Sequence, residues 1–167
     1  VISLGLLTGT AAPSSSRVHF NALSPLSSLI GSSSVGGYLG SKLKFLGIAA
    51  IIIRGRADSP VYIEFDERGV RLSDAGDLWG LDTRETEARL KEKIGNENIE
   101  ILSIGTAGEN LVRYACIMAG IDHAAGHTGM GAVMGSKMLK AISVRSVPRH
   151  EKCPPQALRE VREYIKA

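Results

Sequence analysis

Apolar positions in this chain fall into short β-branched runs and a few stretches of helical spacing, separated by loops of small residues. Val1 to Leu7 and Ala49 to Arg54 are nearly continuous apolar runs, which predict buried strands. Arg17 to Leu23 alternates around Val18 and Phe20 and predicts a second strand. Val61–Phe65 and Val70–Leu72 flank Asp66-Glu67-Arg68-Gly69, a hairpin signature. Ile99–Ile104, Leu111–Met118 and the run around Ile142 complete the predicted strands. Helical spacing appears from Gly37 to Leu46, with Leu39, Leu43 and Leu46 on one face and Gly47 as the stop. It returns from Asp82 to Ile94, where Asp82 and Glu85 have capping-box spacing and Gly95 ends the helix. Gly105 to Gly108 reads as a turn, and Ser24 to Gly37 as an irregular serine- and glycine-rich passage.

The densest glycine cluster lies between Asp122 and Lys137, where Gly126, Gly129, Gly131 and Gly135 precede or interrupt helically spaced Val133, Met134 and Met138. A glycine-rich loop that opens a helix presents free N–H groups and a positive dipole end, a natural place for an anion. Residues 34–42 echo this stretch, and both copies contain Gly-Ser-Lys followed by a β-branched run. The echo predicts an internal duplication with two anion sites. The order Gly-Ser-Lys is not that of a P-loop, and glycine-rich turns also occur where no phosphate binds. The loop Thr8 to Ser16 is open to two readings, a solvated linker or a close approach to a ligand. Arg17 at the mouth of its strand is either a surface charge or a forked donor.

Composition narrows the class. The chain has 167 residues, 44% hydrophobic and 22% charged, ordinary for a globular domain. A net charge of +3 is too small to argue for nucleic acid or a membrane surface. No apolar run approaches the ~20 residues of a membrane span. With no secretory signal, a cytoplasmic protein is expected, and a disulfide between Cys116 and Cys153 is not. Asp122, His123 and His127 are potential metal ligands, but the glycine and threonine around them argue for a loop, with no third histidine near. The fold expected is α+β, with duplicated strand-rich halves and helices at the two glycine-rich loops. The domain is placed at 1–147, with 148–167 a linker and a short amphipathic helix. The chain opens directly in a strand without methionine, which predicts a piece of a longer polypeptide.

The motifs then resemble a known family. Leu7-Thr8-Gly9-Thr10, Ala12-Pro13, Arg17, Ser24-Pro25-Leu26 and Gly36-Gly37-Tyr38 carry the first part. Trp79-Gly80, Ser103-Ile104-Gly105, Ala107–Val112, Ala124-Ala125-Gly126 and Gly131–Lys137 carry the rest. In order and spacing, from about Leu4 to Val144, they resemble the N-terminal domain of tungsten-containing aldehyde ferredoxin oxidoreductases.

The resemblance implies a base on which a tungsten (or molybdenum) bis-pterin lies, its phosphates linked through magnesium. It implies that a 4Fe-4S cluster comes from domains outside this chain. Carried over, Arg17, Gly36, His123, Ala124, Gly126 and Thr128 stand at cofactor-binding positions, and Ser34 and Ala124 at magnesium positions. The family has asparagine at the place of Ser34, arginine at those of His123 and His127, and glycine at that of Thr128. The partners implied are the remaining domains or subunits of an oxidoreductase and, for the whole enzyme, ferredoxin, with a homo-oligomer left open. The activity implied is oxidation of an aldehyde to a carboxylate, this chain being inactive alone. The alternative is a non-catalytic binding or scaffold protein derived from the domain.

Overall fold

β-Branched and aromatic runs pair into two sheets that share one core. The computed structural model describes residues 1–10, 12, 14–147 and 163–164. The predicted linker and tail helix lie outside the described residues, apart from Glu163 and Tyr164, which are helical.

The first sheet has the order β3-β2-β1-β4, antiparallel throughout. Its strands are β1 (Ile2–Leu4), β2 (Val18–Leu23), β3 (Ile30–Val35) and β4 (Ala50–Ile51). Helix α1 (Leu39–Phe45) connects β3 to β4, and Gly47 follows it at φ 79°. The second sheet has the order β6-β5-β10-β7-β8-β9. It comprises β5 (Val61–Asp66), β6 (Gly69–Asp74), β7 (Glu100–Ser103), β8 (Ile117–Ala119), β9 (His123–Ala125) and β10 (Leu139–Val144). Only β5 and β10 run parallel. Helices α2 (Thr83–Ile94), α3 (Thr106–Glu109) and α4 (Met130–Ser136) belong to this half. The α+β class, the two strand-rich halves and a helix after each glycine-rich loop are therefore as expected.

Inward-facing Ile2, Val18, Phe20 and Val35 of the first sheet meet Ile63, Phe65, Leu102, Ile142 and Val144 of the second. Leu39 and Leu43 of α1 and Met130 and Met134 of α4 fill the space between. On the other face of the second sheet, α2 buries Leu90 against Tyr62, Ile101 and Ala141. The capping box is formed: the Asp82 carboxylate accepts from the backbone N–H groups of Arg84 and Glu85, both at 2.8 Å. Glu85 accepts from the Asp82 N–H at 2.9 Å, and Gly95 ends the helix at φ 67°. Every residue of β10 is buried, Lys140 included. Its ammonium donates to the Leu81 carbonyl at 2.8 Å and pairs with the buried Glu109 carboxylate.

Five local expectations are corrected. The Val1–Leu7 run yields only Ile2–Leu4 as strand, because the chain turns at Gly5 to Thr8, leaving Leu6 89% exposed. Ala49–Arg54 is not a buried strand: its two-residue strand pairs on one side only, at a sheet edge, and Ile52 is exposed. The serine-rich passage contains a full strand, β3, held by the register Val18↔Val35 through Leu23↔Ile30. Residues 105–109 hold helix α3, and Leu111–Cys116 is not strand. That segment packs backbone to backbone against α4, with the Gly131 N–H donating to the Ala115 carbonyl at 2.9 Å.

Candidate functional site

β3 is an edge of the first sheet and β9 an edge of the second, and the two edges meet. Side chains of β3 and its approach fasten this seam. Ser33 donates to the Gly126 carbonyl at 2.5 Å, and Ser24 donates to the Thr128 carbonyl at 2.8 Å. Thr128 donates to the Ser32 carbonyl at 3.4 Å. Gly31 has to be glycine here, since a Cβ would stand 2.7 Å from the Met130 methyl and 2.9 Å from the Thr128 Cβ.

Along the seam opens a cavity of about 450 Å³, lined by His19, Ser32, Ser33, Ser34, Ala124, Gly126 and His127. Two imidazoles and the hydroxyls of Ser32 and Ser34 line it, the Ser33 hydroxyl being spent on Gly126, and no carboxylate does. The Arg17 guanidinium reaches its rim and donates to the Ser34 hydroxyl at 3.3 Å. A site without a carboxylate suits an anion, because the two imidazoles and the hydroxyls of Ser32 and Ser34 can each give a hydrogen bond.

The glycine cluster divides into two jobs. A Cβ at Gly129, Gly131 or Gly135 would overlap the backbone carbonyls of Arg113, Cys116 and Gly108 respectively. These three let α4 lie directly on the 108–116 segment, and the start of α4 is buried there. At Gly36, Gly37 and Gly126 a Cβ would meet nothing within 4 Å, so the backbone is open to a ligand. The anion position predicted at the start of α4 is thus closed by backbone, and the open glycine of this loop lies upstream at Gly126. The two Gly-Ser-Lys triplets also sit differently. Gly40-Ser41-Lys42 lies early in α1, whereas Gly135-Ser136 ends α4 with Lys137 as its cap.

His127, Thr128 and Gly129 are successively left-handed, at φ 61°, 54° and 73°. A β-branched residue rarely adopts this region. The Ser24 and Ser32 contacts to Thr128 hold it there.

Among the residues singled out from sequence, Ser34, Ala124 and Gly126 line the cavity, with Arg17 at its rim. Gly36 follows β3 two residues beyond Ser34, with open space above it. His123 does not line the cavity: strand alternation sets it on the same side of β9 as buried Ala125, opposite to Ala124. Thr128 is a strut rather than a wall residue. Among the described residues, no three of His, Cys, Asp and Glu gather as a metal site. Sequence reasoning missed His19, Ser32 and Ser33. The alternation of β2 carries the signal for His19, which follows Arg17 by two and so shares its face.

Several large apolar side chains are exposed. Ile30 is 87% and Tyr38 75% exposed, and Leu7 and Ile121 are exposed as well. A second cavity, about 660 Å³ and mostly apolar, lies between β1, β2 and α4, lined by Ile2, Phe20, Met130 and Val133 among others. No helix among the described residues is long and apolar enough to cross a membrane.

A family model described as aldehyde ferredoxin oxidoreductase, N-terminal domain, matches residues 1–146. A tungsten-containing aldehyde ferredoxin oxidoreductase of Pyrococcus furiosus is 46% identical over 155 residues, covering 91% of this chain and 26% of that protein. Its counterpart from Pyrococcus horikoshii is 48% identical over 151 residues, covering 90% and 25%. Among solved structures, the active site complex BamBC of benzoyl coenzyme A reductase, in complex with 1,5-dienoyl-CoA, matches with a TM-score of 0.90 at 35% identity. That match covers 99% of this chain and 26% of the other. The chain thus spans about a quarter of the length of the relatives it matches.

Proposed function

The chain belongs to the aldehyde ferredoxin oxidoreductase N-terminal domain family, and on that premise we propose that it is the base that seats a bis-pterin tungsten or molybdenum cofactor. The observation that carries this reading is the carboxylate-free cavity at the seam of the two sheets, with open backbone at Gly126 and, just beyond β3, at Gly36.

The residues present fit the phosphate end of such a group. Arg17, His127 and the hydroxyls of Ser32 and Ser34 would hold it, and Gly126 would let it approach the backbone. Magnesium would find the Ser34 hydroxyl and the Ala124 carbonyl, both neutral and one facing a guanidinium. The phosphates would have to supply its negative ligands, which is how magnesium is commonly held. When bound, the metal–pterin unit supplies two-electron redox chemistry. This chain's contribution is to position that unit and to keep acidic groups away from its phosphates.

The remaining domains or subunits would cover exposed apolar side chains such as Leu7, Ile30, Tyr38 and Ile121. They would also bring the four-iron cluster: the whole sequence has two cysteines, fewer than a four-thiolate cluster needs. The assembled enzyme would oxidise an aldehyde to a carboxylate and deliver electrons to ferredoxin. A scaffold role without catalysis is the second reading, favoured by histidine at positions 123 and 127, where the family has arginine and its permanent charge.

The test is metal and pterin analysis of the protein purified from cofactor-producing cells grown with tungstate. Stoichiometric pterin phosphate that falls in Arg17→Ala supports the base reading. A protein free of pterin, which also fails to bind the isolated phosphorylated pterin, would overturn it.

A further inference from the structure

We propose that His19 is a further ligand-binding residue of the seam cavity that it lines with His127, so that a phosphoryl group is held between an imidazole on β2 and one on the loop from β9 to α4. The proposal rests on the reading of this cavity as a phosphate seat. His19 is exposed on β2, across from Ser34 in the β2–β3 register, and lines the cavity. It makes no hydrogen bond or ion pair to any described residue, so its ring N–H is free to serve a ligand.

The opposite wall is fixed rather than pliant. His127 sits in a left-handed backbone between two carbonyls, those of Gly126 and Thr128, that Ser33 and Ser24 tie to the first sheet. The two imidazoles therefore reach the cavity from β2 of the first sheet and from the loop that leaves β9, across a braced seam. All other polar side chains of the lining are hydroxyls, and the nearby Arg17 is already turned toward Ser34. No acidic side chain of the lining competes for the His19 N–H. A tetrahedral phosphoryl group has acceptor oxygens on several sides, which suits donors arriving from two walls.

The test follows the histidine ring signals of the whole chain by NMR at one fixed pH during titration with inorganic pyrophosphate, then with the isolated phosphorylated pterin. The expected result is saturable, concurrent shifts of the His19 and His127 rings and of the Gly126 amide. His19→Ala should weaken binding about threefold to tenfold, the range of one hydrogen bond. His19→Gln, which keeps an N–H donor, should restore most of that loss. Shifts at His127 and Gly126 with a silent His19, or equal affinity in His19→Ala, would overturn the role of His19 and leave the phosphate seat standing. No shift anywhere with either probe would overturn both. Binding of pyrophosphate but not of the pterin would keep the two-imidazole seat and assign it to free phosphate compounds.

Discussion

The hydroxyl of Ser33 donates to the carbonyl of Gly126 at 2.5 Å, joining residues 93 apart in sequence. This bond closes the seam between β3 and β9 and sets the floor of the cavity. Ser33 is buried, and its removal takes from the Gly126 carbonyl its protein donor, leaving water from the cavity as the replacement. Ser33→Ala is expected to lose about 0.5–1.5 kcal/mol of stability and to weaken phosphate binding as well. Urea denaturation read beside pyrophosphate titration checks both; an unchanged midpoint would mean that the seam is held elsewhere.

The glycines separate packing from binding. Gly131→Ala and Gly135→Ala place a methyl group on the backbone of Cys116 and Gly108, which have little room to yield. Each should cost about 3 kcal/mol or more, at the upper end for overpacking. Gly126→Ala meets nothing in the protein and should fold with nearly unchanged thermal stability. It should nevertheless lose affinity for a phosphorylated ligand. A Gly126→Ala protein that binds as tightly as the parent would show that no ligand approaches this backbone.

Lys140 and Glu109 form a buried ion pair beneath α3, with Glu109 also accepting from the Gly80 N–H at 2.9 Å. Lys140→Met leaves that carboxylate buried without its cation and should cost about 3–5 kcal/mol. Lys140→Met combined with Glu109→Gln should regain a large part of the loss, because two neutral side chains need less compensation. A strictly additive double-mutant cycle in chemical denaturation would refute the coupling.

Asp66 predicts the acid limb of the stability curve. Hydrogen bonds from Arg71, joined by the Arg68 N–H and the charges of Arg71 and Arg145, hold its carboxyl below its ordinary value, against the opposing effect of burial. A carboxyl depressed by folding adds stability that is fully present above its unfolded pKa. That stability is lost as pH falls through the folded value. Asp66→Asn should therefore flatten this limb below the usual carboxylate range. At neutral pH it should lose about 1–3 kcal/mol, kept modest by the partial exposure of both arginines. Unfolding free energies from pH 7 downward, for both proteins, test the difference.

Local rules set much of this fold. The capping box at Asp82 and Glu85, the hairpin around Glu67-Arg68, the helix stop at Gly47 and the inward Leu39–Leu43 pair all depend on neighbours a few residues away. Their physics was therefore written in the sequence. Strands governed by distant partners were not. The serines of β3 have little strand propensity, and pairing with β2 decides their conformation. The isoleucine run at residues 51–53 reads as a buried strand, yet its place at an edge leaves Ile52 in solvent.

The candidate site divides along the same line. Arg17, Gly36, Ala124 and Gly126 were legible as motif residues, and the sequence alone pointed to an anion near the glycine cluster. Which glycines face a ligand and which face backbone depends on what lies above each one, and for Gly129, Gly131 and Gly135 that neighbour is the 108–116 segment. His19 and His127 are 108 positions apart, and nothing local links them. Only the meeting of the β3 and β9 edges brings their side chains into one cavity.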